Sequence, residues 1–349
     1  MIVEEYEIPL ERAIKRLKQL SVDRVIVQLP NGLKRLYPMI ERELSRYGID
    51  SLLTVRPTWG ICDLAIPEAK SLNIGTILHI GHHTPPEMCI DNVRILFLPS
   101  TYIRNPSKLV YSTIKDLMNC GLIKAGSRIG LTCTIQHCKY LDDIIVALKT
   151  LNVIPVVSKS SREGMSLGQV LGCDYSSAIS IQDKVDLFIC IAGGRFHATG
   201  LAAVINKPVI GIDPYMENYF NASEGLREII ARRLHILSRA INASAFGIIL
   251  CSKYGQFNLE LAEAIRKKLR SVGIKVFLLV MDEVTPEYLD NITWVDAFIS
   301  TACPRLAFED LSSYRRPVLN PGEVKYIIKP DLSTYELSNS LIYSLKDFQ

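Results

Sequence analysis

Three cysteines have the type and placement to do chemistry, because each follows an apolar, strand-like run and lies in a short loop. Cys303 lies in the segment 301–306, Thr-Ala-Cys-Pro-Arg-Leu, directly after the apolar run 294–300. Cys62 and Cys173 follow the apolar runs 51–55 and 153–157, and each has a glycine within the two residues before it. Open α/β sheets bind their ligands at the carboxyl ends of strands. A single cysteine of this kind is more often a small buried side chain, so the argument rests on all three.

Three thiolates can hold three corners of a four-iron–four-sulfur cluster and leave one iron open for substrate. Spacing lends this hypothesis no support, since the chain contains no Cys-x-x-Cys pair. Cys133 and Cys138 lie close enough in sequence to be rival ligands. The remaining cysteines are interpreted as buried or incidental thiols: Cys89, Cys120, Cys190 and Cys251.

The composition is that of a globular protein with a full core and two or three domains: 349 residues, 48% hydrophobic and 22% charged. A net charge of +4 is too small to indicate nucleic-acid binding by itself. The first residues lack a basic signal region, and no apolar run approaches the length of a membrane span. Nine cysteines without a secretion signal favour a reducing compartment, so a cytoplasmic protein is expected.

One pattern recurs three times: an apolar strand, a helix with one apolar face, and a residue that ends the helix. The strands are 22–30, 127–132 and 245–250, and the helix-ending residues are Gly48, Asn152 and Gly273. Such βαβ units predict parallel sheets whose strands all end on one edge. We predict an α/β protein of three similar domains, 1–107, 108–225 and 226–349, each a small parallel sheet flanked by helices, arranged around a central cluster site. One candidate cysteine falls in each domain, at positions that are not equivalent in the repeat.

Two helices are predicted outside the repeat. The segment 227–239 would join the second and third domains. Its four arginines are interpreted as a solvated face, with a docking patch as the alternative: Arg227, Arg232, Arg233 and Arg239. The tail from Leu332 has leucines at helical spacing, which predicts a closing helix at the end of the third domain: Leu337, Leu341 and Leu345.

Four polar residues are candidates for lining a cofactor site. Gln28 ends the first strand, where it could bind a cofactor or cap the next helix. His82 and His197 follow glycines after strands, where they could line a pocket or serve as structural imidazoles bonded to backbone. Arg305, beside Cys303, could clamp a carboxylate or pair with a neighbouring acid.

The local signatures around these residues resemble those of the archaeal 2-(3-amino-3-carboxypropyl)histidine synthases, the family that begins diphthamide biosynthesis. The similar segments follow the family's order and cover nearly the whole chain: 28–33, 59–63, 78–82, 134–136, 168–173, 194–197, 213–215 and 302–306. One loop departs from the pattern. Residues 253–256 read Lys-Tyr-Gly-Gln where relatives often have a glycine- and arginine-rich loop, so no substrate role is assigned to them.

The resemblance implies a homodimer of three-domain chains in which Cys62, Cys173 and Cys303 hold a 4Fe-4S cluster. It further implies that S-adenosyl-L-methionine, the co-substrate, binds the open iron. Reduction by an electron donor would then release methylthioadenosine and a 3-amino-3-carboxypropyl radical, which adds to C2 of a histidine of translation elongation factor 2. Such a radical transferase needs no catalytic side chain beyond the cluster, and the protein's task is to position the reactants and exclude water.

Three alternatives stay open at this point. Quinolinate synthase also has three α/β domains that each supply one cluster cysteine, but the local signatures match the diphthamide family. A non-catalytic partner subunit without a cluster is the second alternative, and the presence of all three cysteines argues against it. A plain nucleotide-binding module is the third, and it leaves those cysteines unexplained.

Overall fold

The computed structural model describes residues 1–82 and 86–341. It divides into two compact units, Met1–Ala222 and Ser223–Gln349. No helix within the described residues is long and apolar enough to cross a membrane. The domain boundaries near residues 107 and 225 stay a prediction.

The first part of the first unit contains a five-stranded sheet in the order β4-β3-β5-β7-β6, in which only β6 is antiparallel. Strands β1, β2 and β8 form a small antiparallel sheet. In sequence, β1 and β2 precede the strands of the five-stranded sheet and β8 follows them. The elements are β1 (Ile2–Val3), β2 (Tyr6–Glu7), α1 (Leu10–Gln19), β3 (Arg24–Gln28), α2 (Tyr37–Arg46), β4 (Asp50–Leu53), α3 (Ile66–Ser71), β5 (Thr76–Ile80), β6 (Glu87–Ile90), β7 (Val93–Leu98) and β8 (Thr101–Tyr102).

The rest of the first unit contains a second five-stranded sheet, β10-β9-β11-β12-β13, in which only β13 is antiparallel. Its elements are α4 (Ser107–Asn119), β9 (Arg128–Cys133), α5 (Leu141–Lys149), β10 (Ile154–Val156), α6 (Ser176–Ile179), β11 (Leu187–Ile191), α7 (Phe196–Val204), β12 (Val209–Asp213) and β13 (Asn218–Asn221).

The second unit contains a four-stranded, fully parallel sheet in the order β15-β14-β16-β17. Its elements are α8 (Leu226–Ala240), β14 (Ala245–Cys251), α9 (Leu259–Ser271), β15 (Lys275–Met281), α10 (Pro286–Asp290), β16 (Ala297–Ser300), β17 (Val318–Leu319) and α11 (Lys325–Ile328). A π-helical turn, Leu306–Asp310, follows β16.

The three sheets share one topology, which confirms the α/β class and the repeat. In each, the first strand of the repeat lies between the second and the third, and a fourth parallel strand follows the third. The helices pack their predicted apolar faces into the cores. In α2 and the preceding turn, Leu33, Leu36, Ile40 and Leu44 are all buried. Gly48, Asn152 and Gly273 end their helices in left-handed conformations, with φ of 67°, 54° and 83°.

The antiparallel edge strands β6 and β13 were not predicted. In the first sheet the edge strand precedes the fourth parallel strand, and in the second sheet it follows that strand. The hairpin between β6 and β7 turns at Asp91 and Asn92, whose φ values are 50° and 64°. Asp and Asn tolerate this left-handed conformation, so the dipeptide was the available sequence signal.

Two predictions about helices need correction. Arg227, Arg232 and Arg239 are exposed on α8 as predicted, but Arg233 is 1% exposed and lies in the core. Up to Leu341 the tail forms two short 3-10 turns, Leu332–Thr334 and Leu337–Leu341, instead of an α-helix. Leu345 lies outside the described residues, so a closing helix beyond Leu341 stays a prediction.

Candidate functional site

Cys62 lies in a tight turn of the loop that follows β4. The N–H of Asp63 donates to the carbonyl of Gly60 at 3.1 Å, which closes the turn. Earlier in the loop, Lys34 Nζ donates to the carbonyl of Val55 at 2.6 Å. Cys62 is half-buried and forms no disulfide. Its thiol is therefore partly accessible at the carboxyl end of the first sheet.

The carboxylate next to Cys62 is fully buried and paired. Asp63 is 0% exposed, and its Oδ1 lies 3.1 Å from a guanidinium nitrogen of Arg56. Arg56 Nε also lies 2.5 Å from Glu68 Oε1 on α3. Removing one member of such a pair leaves a buried charge without compensation. These ion pairs therefore fix the backbone beside Cys62.

Cys173 lies in a two-residue turn at the end of the second sheet. The N–H of Leu171 donates to the carbonyl of Asp174 at 3.0 Å, and Asp174 returns a hydrogen bond at 3.2 Å. The preceding residue, Gly172, faces the ring of Phe196, so a Cβ at this position would lie 2.2 Å from Phe196 Cε1. Cys173 is exposed and forms no disulfide.

The positions of Cys62 and Cys173 in their sheets are equivalent, which corrects part of the sequence interpretation. Each lies in the connection between the second and third strands of its sheet, after β4 and after β10. Cys303 differs, because it follows β16, the third strand of its sheet.

Cys303 begins a turn that runs into the π-helix. The N–H of Leu306 donates to the carbonyl of Cys303 at 3.0 Å, and Asn320 Nδ2 donates to the carbonyl of Pro304 at 3.1 Å. Cys303 is half-buried and forms no disulfide. π-helical turns occur frequently at functional sites. The role of Cys303 as a cluster ligand stays a prediction.

Arg305 makes ion pairs with two acids of its own turn. Its Nε lies 3.1 Å from Glu309 Oε2 and 3.2 Å from Asp310 Oδ1. These contacts match the alternative interpretation, a pair with a neighbouring acid. A role as a carboxylate clamp stays a prediction.

Gln28 is buried and bonded within the protein, and it does not cap the helix that follows. Its Nε2 donates to the carbonyl of Asp63 at 2.7 Å, and its Oε1 accepts from the N–H of Ala65 at 3.2 Å. The same oxygen lies 3.0 Å from His79 Nδ1, and His79 Nε2 lies 3.0 Å from His82 Nδ1. The chain of contacts thus links the turn of Cys62 to His82.

His82, at the end of this chain, is half-buried, whereas Gln28 and His79 are fully buried. Burial lowers the pKa of His82 to about 4, although the carboxylate of Asp63 acts in the opposite direction. Burial also lowers the pKa of His79 well below its usual value, and His82 adds to this effect. Both imidazoles are therefore neutral at neutral pH. His79 was missed by the sequence analysis, because it lies inside an apolar strand, β5.

His197 is half-buried near the start of α7, with its ring centroid 5.2 Å from that of Phe196. The ring of Phe196 also lies against Gly172, the residue before Cys173. The structure thus places two of the predicted site residues near the same edge of the second sheet.

The rival cysteines form a pair of their own. Cys133 Sγ and Cys138 Sγ lie 3.0 Å apart, and Cys133 is buried at the end of β9. The contact with Cys138, together with burial, raises the pKa of the Cys133 thiol well above its usual value. Of the four thiols interpreted as buried or incidental, Cys190 and Cys251 are buried and Cys89 and Cys120 are exposed.

Comparisons with known proteins give one consistent result. The family model of diphthamide synthesis proteins matches residues 29–337. The chain belongs to the diphthamide synthesis family. It is 32% identical to the 2-(3-amino-3-carboxypropyl)histidine synthase of Pyrococcus horikoshii, over 93% of this chain and 91% of the relative. It is 24% identical to subunit 1 of the Saccharomyces cerevisiae synthase, over 95% of this chain and 77% of that subunit.

A crystal structure from this family has the same fold. The structure of Dph2 from Pyrococcus horikoshii with a 4Fe-4S cluster matches with a TM-score of 0.83 and 29% identity, over 95% of this chain and 93% of the other. The agreement in sequence and fold favours the diphthamide family over quinolinate synthase and over a plain nucleotide-binding module.

The candidate cysteines of this family member suit an iron–sulfur cluster in chemistry and accessibility. Cys62, Cys173 and Cys303 are half-buried or exposed in loops after strands, and none forms a disulfide. In residues 1–82 and 86–341, no three His, Cys, Asp or Glu side chains converge on a single metal ion. A four-iron cluster binds its cysteines at separate corners, so its ligands need not converge on one point.

Proposed function

We propose that this chain transfers the 3-amino-3-carboxypropyl group of S-adenosylmethionine to C2 of a histidine of translation elongation factor 2. This is the first step of diphthamide formation. The observation that carries the proposal is the match to a histidine synthase over 93% of this chain, together with the shared fold. In the net reaction the γ-carbon–sulfur bond of S-adenosylmethionine and the C2–H bond of the histidine break, and one carbon–carbon bond forms. Methylthioadenosine and a proton are released. The electron that starts the reaction is given back when the histidine adduct loses its hydrogen as a proton, so no net oxidation or reduction occurs.

Cys62, Cys173 and Cys303 are the proposed ligands of a 4Fe-4S cluster. When bound, the cluster supplies an electron to S-adenosylmethionine and one iron that no cysteine holds. The protein contributes three loops that fix the thiols: the turn closed by Gly60 and Asp63, the turn of Cys173 packed on Phe196, and the turn of Cys303 at the π-helix.

His82, His197 and Arg305 are the proposed side chains of the S-adenosylmethionine site. Support comes from position, because each lies in or just after a loop at the carboxyl end of a strand. For Gln28 we propose a supporting role, and direct contact with the cofactor stays a prediction. Its side-chain amide is hydrogen-bonded to Asp63, Ala65 and His79. It therefore stabilises the loop of Cys62 and the position of His79.

The proposed setting is a cytoplasmic homodimer that receives electrons from a donor protein and acts on elongation factor 2. A reducing compartment suits nine cysteines, none of which forms a disulfide. Size-exclusion chromatography with light scattering tests the dimer directly. A monomer at working concentration would contradict that part of the proposal.

The decisive experiment is anaerobic purification with iron and sulfide analysis, followed by reduction with dithionite in the presence of S-adenosylmethionine. Mass spectrometry should show methylthioadenosine as the main product and, after addition of elongation factor 2, an aminocarboxypropyl group on one histidine. 5′-Deoxyadenosine as the main product would contradict the reaction. A protein without a cluster or turnover would favour the non-catalytic partner subunit.

Substitutions of the cysteines test the ligand assignment independently of turnover. Cys62→Ser, Cys173→Ser and Cys303→Ser should each lower the iron content and abolish activity. Cys120→Ser, at an exposed helix end, is the matched control and should leave both unchanged. Normal iron loading in Cys173→Ser would point to Cys133 or Cys138 as the ligand instead.

A further inference from the structure

The hydrogen bonds from Gln28 to His82 have a fixed direction, because two backbone groups determine it at one end. The carbonyl of Asp63 can only accept, and the N–H of Ala65 can only donate. Gln28 meets the carbonyl with Nε2 at 2.7 Å and the N–H with Oε1 at 3.2 Å. A flipped amide would set carbonyl against carbonyl and N–H against N–H. The orientation of the Gln28 amide is therefore determined by the protein.

The fixed orientation of the Gln28 amide determines which ring nitrogen carries the proton in His79 and in His82. Gln28 Oε1 lies 3.0 Å from His79 Nδ1 and accepts, so His79 carries its proton on Nδ1. Neutral His79 then offers a lone pair at Nε2, 3.0 Å from His82 Nδ1, and His82 must donate from that nitrogen. The second nitrogen of neutral His82, Nε2, is left with its lone pair. Burial, which lowers the pKa of both imidazoles, keeps them neutral as this assignment requires.

The backbone holds the ring of His82 in place as well. Gly81 has a φ of 102°, and a Cβ there would lie 2.9 Å from Pro30 Cγ, so only glycine fits. The N–H of Gly81 donates to the carbonyl of Leu98 at 2.9 Å, and its carbonyl accepts from Gln136 Nε2 at 3.2 Å. His82 is thus presented from a strand end that these contacts hold in place, and the residue as a whole is half-buried.

We propose that Gln28 and His79 are positioning residues that hold His82 in the Nδ1–H tautomer, so that His82 Nε2 accepts a hydrogen bond from the α-ammonium group of S-adenosylmethionine. The naming of this ligand rests on the proposed function. The ammonium is a cationic N–H donor on the group to be transferred, and a neutral lone pair is its natural acceptor.

The tautomer can be measured without any activity. The chain has six histidines, so ¹⁵N-histidine labelling of the full-length, anaerobically purified protein gives a small set of ring-nitrogen signals, and His82→Gln identifies those of His82. We expect the proton on Nδ1 and the lone pair on Nε2, with exposed His235 as the internal reference for an unconstrained ring. His79→Phe keeps a ring but removes the acceptor, and the His82 proton should move to Nε2. If His82 of the wild-type protein carries its proton on Nε2, the proposal is overturned.

Binding of S-adenosylmethionine tests the ligand. In calorimetric titrations, His82→Met should weaken binding roughly tenfold, as expected for loss of a hydrogen bond to a charged group. His82→Gln should retain most of the affinity, because its Oε1 can accept near the position of Nε2. Equal affinity in the wild type and His82→Met would overturn the assignment of the ammonium. Absence of binding to the wild type would overturn the proposed function and the named ligand together, while the tautomer is decided by its own measurement.

Discussion

Arg233 shows how a charged side chain is held inside the apolar core of the second unit. Its Nε donates to Glu323 Oε1 at 2.9 Å, and another nitrogen donates to the carbonyl of Ala307 at 2.7 Å. Glu323 is 0% exposed and also accepts from Asn320 N, at 2.9 Å, and from the hydroxyl of Tyr335, at 3.1 Å. Because Asn320 and Ala307 flank the turn of Cys303, this buried pair supports the loop that carries the thiol.

Breaking the pair should be costly. Arg233→Met leaves Glu323 as an uncompensated buried charge, so we expect the free energy of unfolding to fall by about 3–5 kcal/mol. Guanidinium unfolding of the wild type and of Arg233→Met measures this change in the free energy of unfolding. Arg232→Met, an exposed arginine of the same helix, is the control and should change stability by less than about 0.5 kcal/mol. Equal stability of the two variants would contradict the structural role of the pair.

Cys133 and Cys138 are placed to form a disulfide with each other. Their sulfurs lie 3.0 Å apart, so treatment with diamide should join them with the loss of two hydrogens, reversibly with dithiothreitol. The thiolate is the reacting form, and the pKa of Cys133 is raised by its neighbour and by burial. The rate should therefore rise with pH through the alkaline range. Peptide mapping by mass spectrometry checks the linkage, and disulfides found only between other cysteines would contradict it.

At the level of residues, sequence patterns predicted where side chains lie along the strands and helices. They did not predict which residues those side chains bond to. The three candidate cysteines and His82 were found because glycines and apolar runs mark the ends of strands. Arg233 was wrongly predicted to be solvent-exposed. The helical pattern around it does not indicate its partner, Glu323, which lies 90 residues away in sequence. Gln28 was placed correctly at a strand end, but its partners lie far away in sequence. His79 is brought to it by the parallel pairing of β3 with β5. Ala65 is brought to it by the connection between β4 and α3.

At the level of elements, close contacts at glycines fix the loops that carry the candidate thiols. Gly172 is in contact with the ring of Phe196, next to Cys173. Gly81 is packed against Pro30, next to His82. The strands and helices of the repeat were predictable from their apolar periodicity. The edge strands β6 and β13 were not, because strands this short lack a periodic signal of sufficient length.

The contact at Gly172 leads to a prediction. Gly172→Ala would place a Cβ 2.2 Å from Phe196 Cε1, so the turn or the ring must move. We expect a loss of stability of about 1–3 kcal/mol and a lower iron content. Adding Phe196→Leu should restore part of both. Gly75→Ala, where no atom lies within 4 Å of the new Cβ, is the control. If both glycine variants load iron normally, the packing of this turn does not matter for the thiol.

At the level of the whole molecule, clusters of buried apolar helix and strand residues pack against the three large sheets in the described part of the chain. Each forms from its own sheet and the helices that flank it, as in the cores around Leu78, Ile189 and Ile248. None of these cores includes Cys62, Cys173 or Cys303. The cluster is therefore expected to serve chemistry and not folding.

Removal of iron tests this expectation. Protein purified without a cluster should keep native circular dichroism and melt cooperatively, unlike a zinc finger, which unfolds without its metal. The comparison is with the anaerobically reconstituted protein at the same concentration. Loss of both the circular dichroism signal and the cooperative melt on removal of iron would show that the cluster is structural. The number of chains per assembly and the surface they share stay predictions, because a single chain carries no direct signal of them.

The π-helical turn after Cys303 and the buried Arg233 depend on each other. In an α-helix the N–H of Leu311 would bond to the carbonyl of Ala307, but here it bonds to Leu306, at 2.7 Å. The one-residue shift frees the Ala307 carbonyl, and Arg233 takes it. In evolutionary terms the extra residue and the arginine form a linked pair of changes. Deleting one residue from the turn would return the carbonyl to the helix and leave a guanidinium N–H without an acceptor, so such a deletion should persist only in lineages that also replace Arg233.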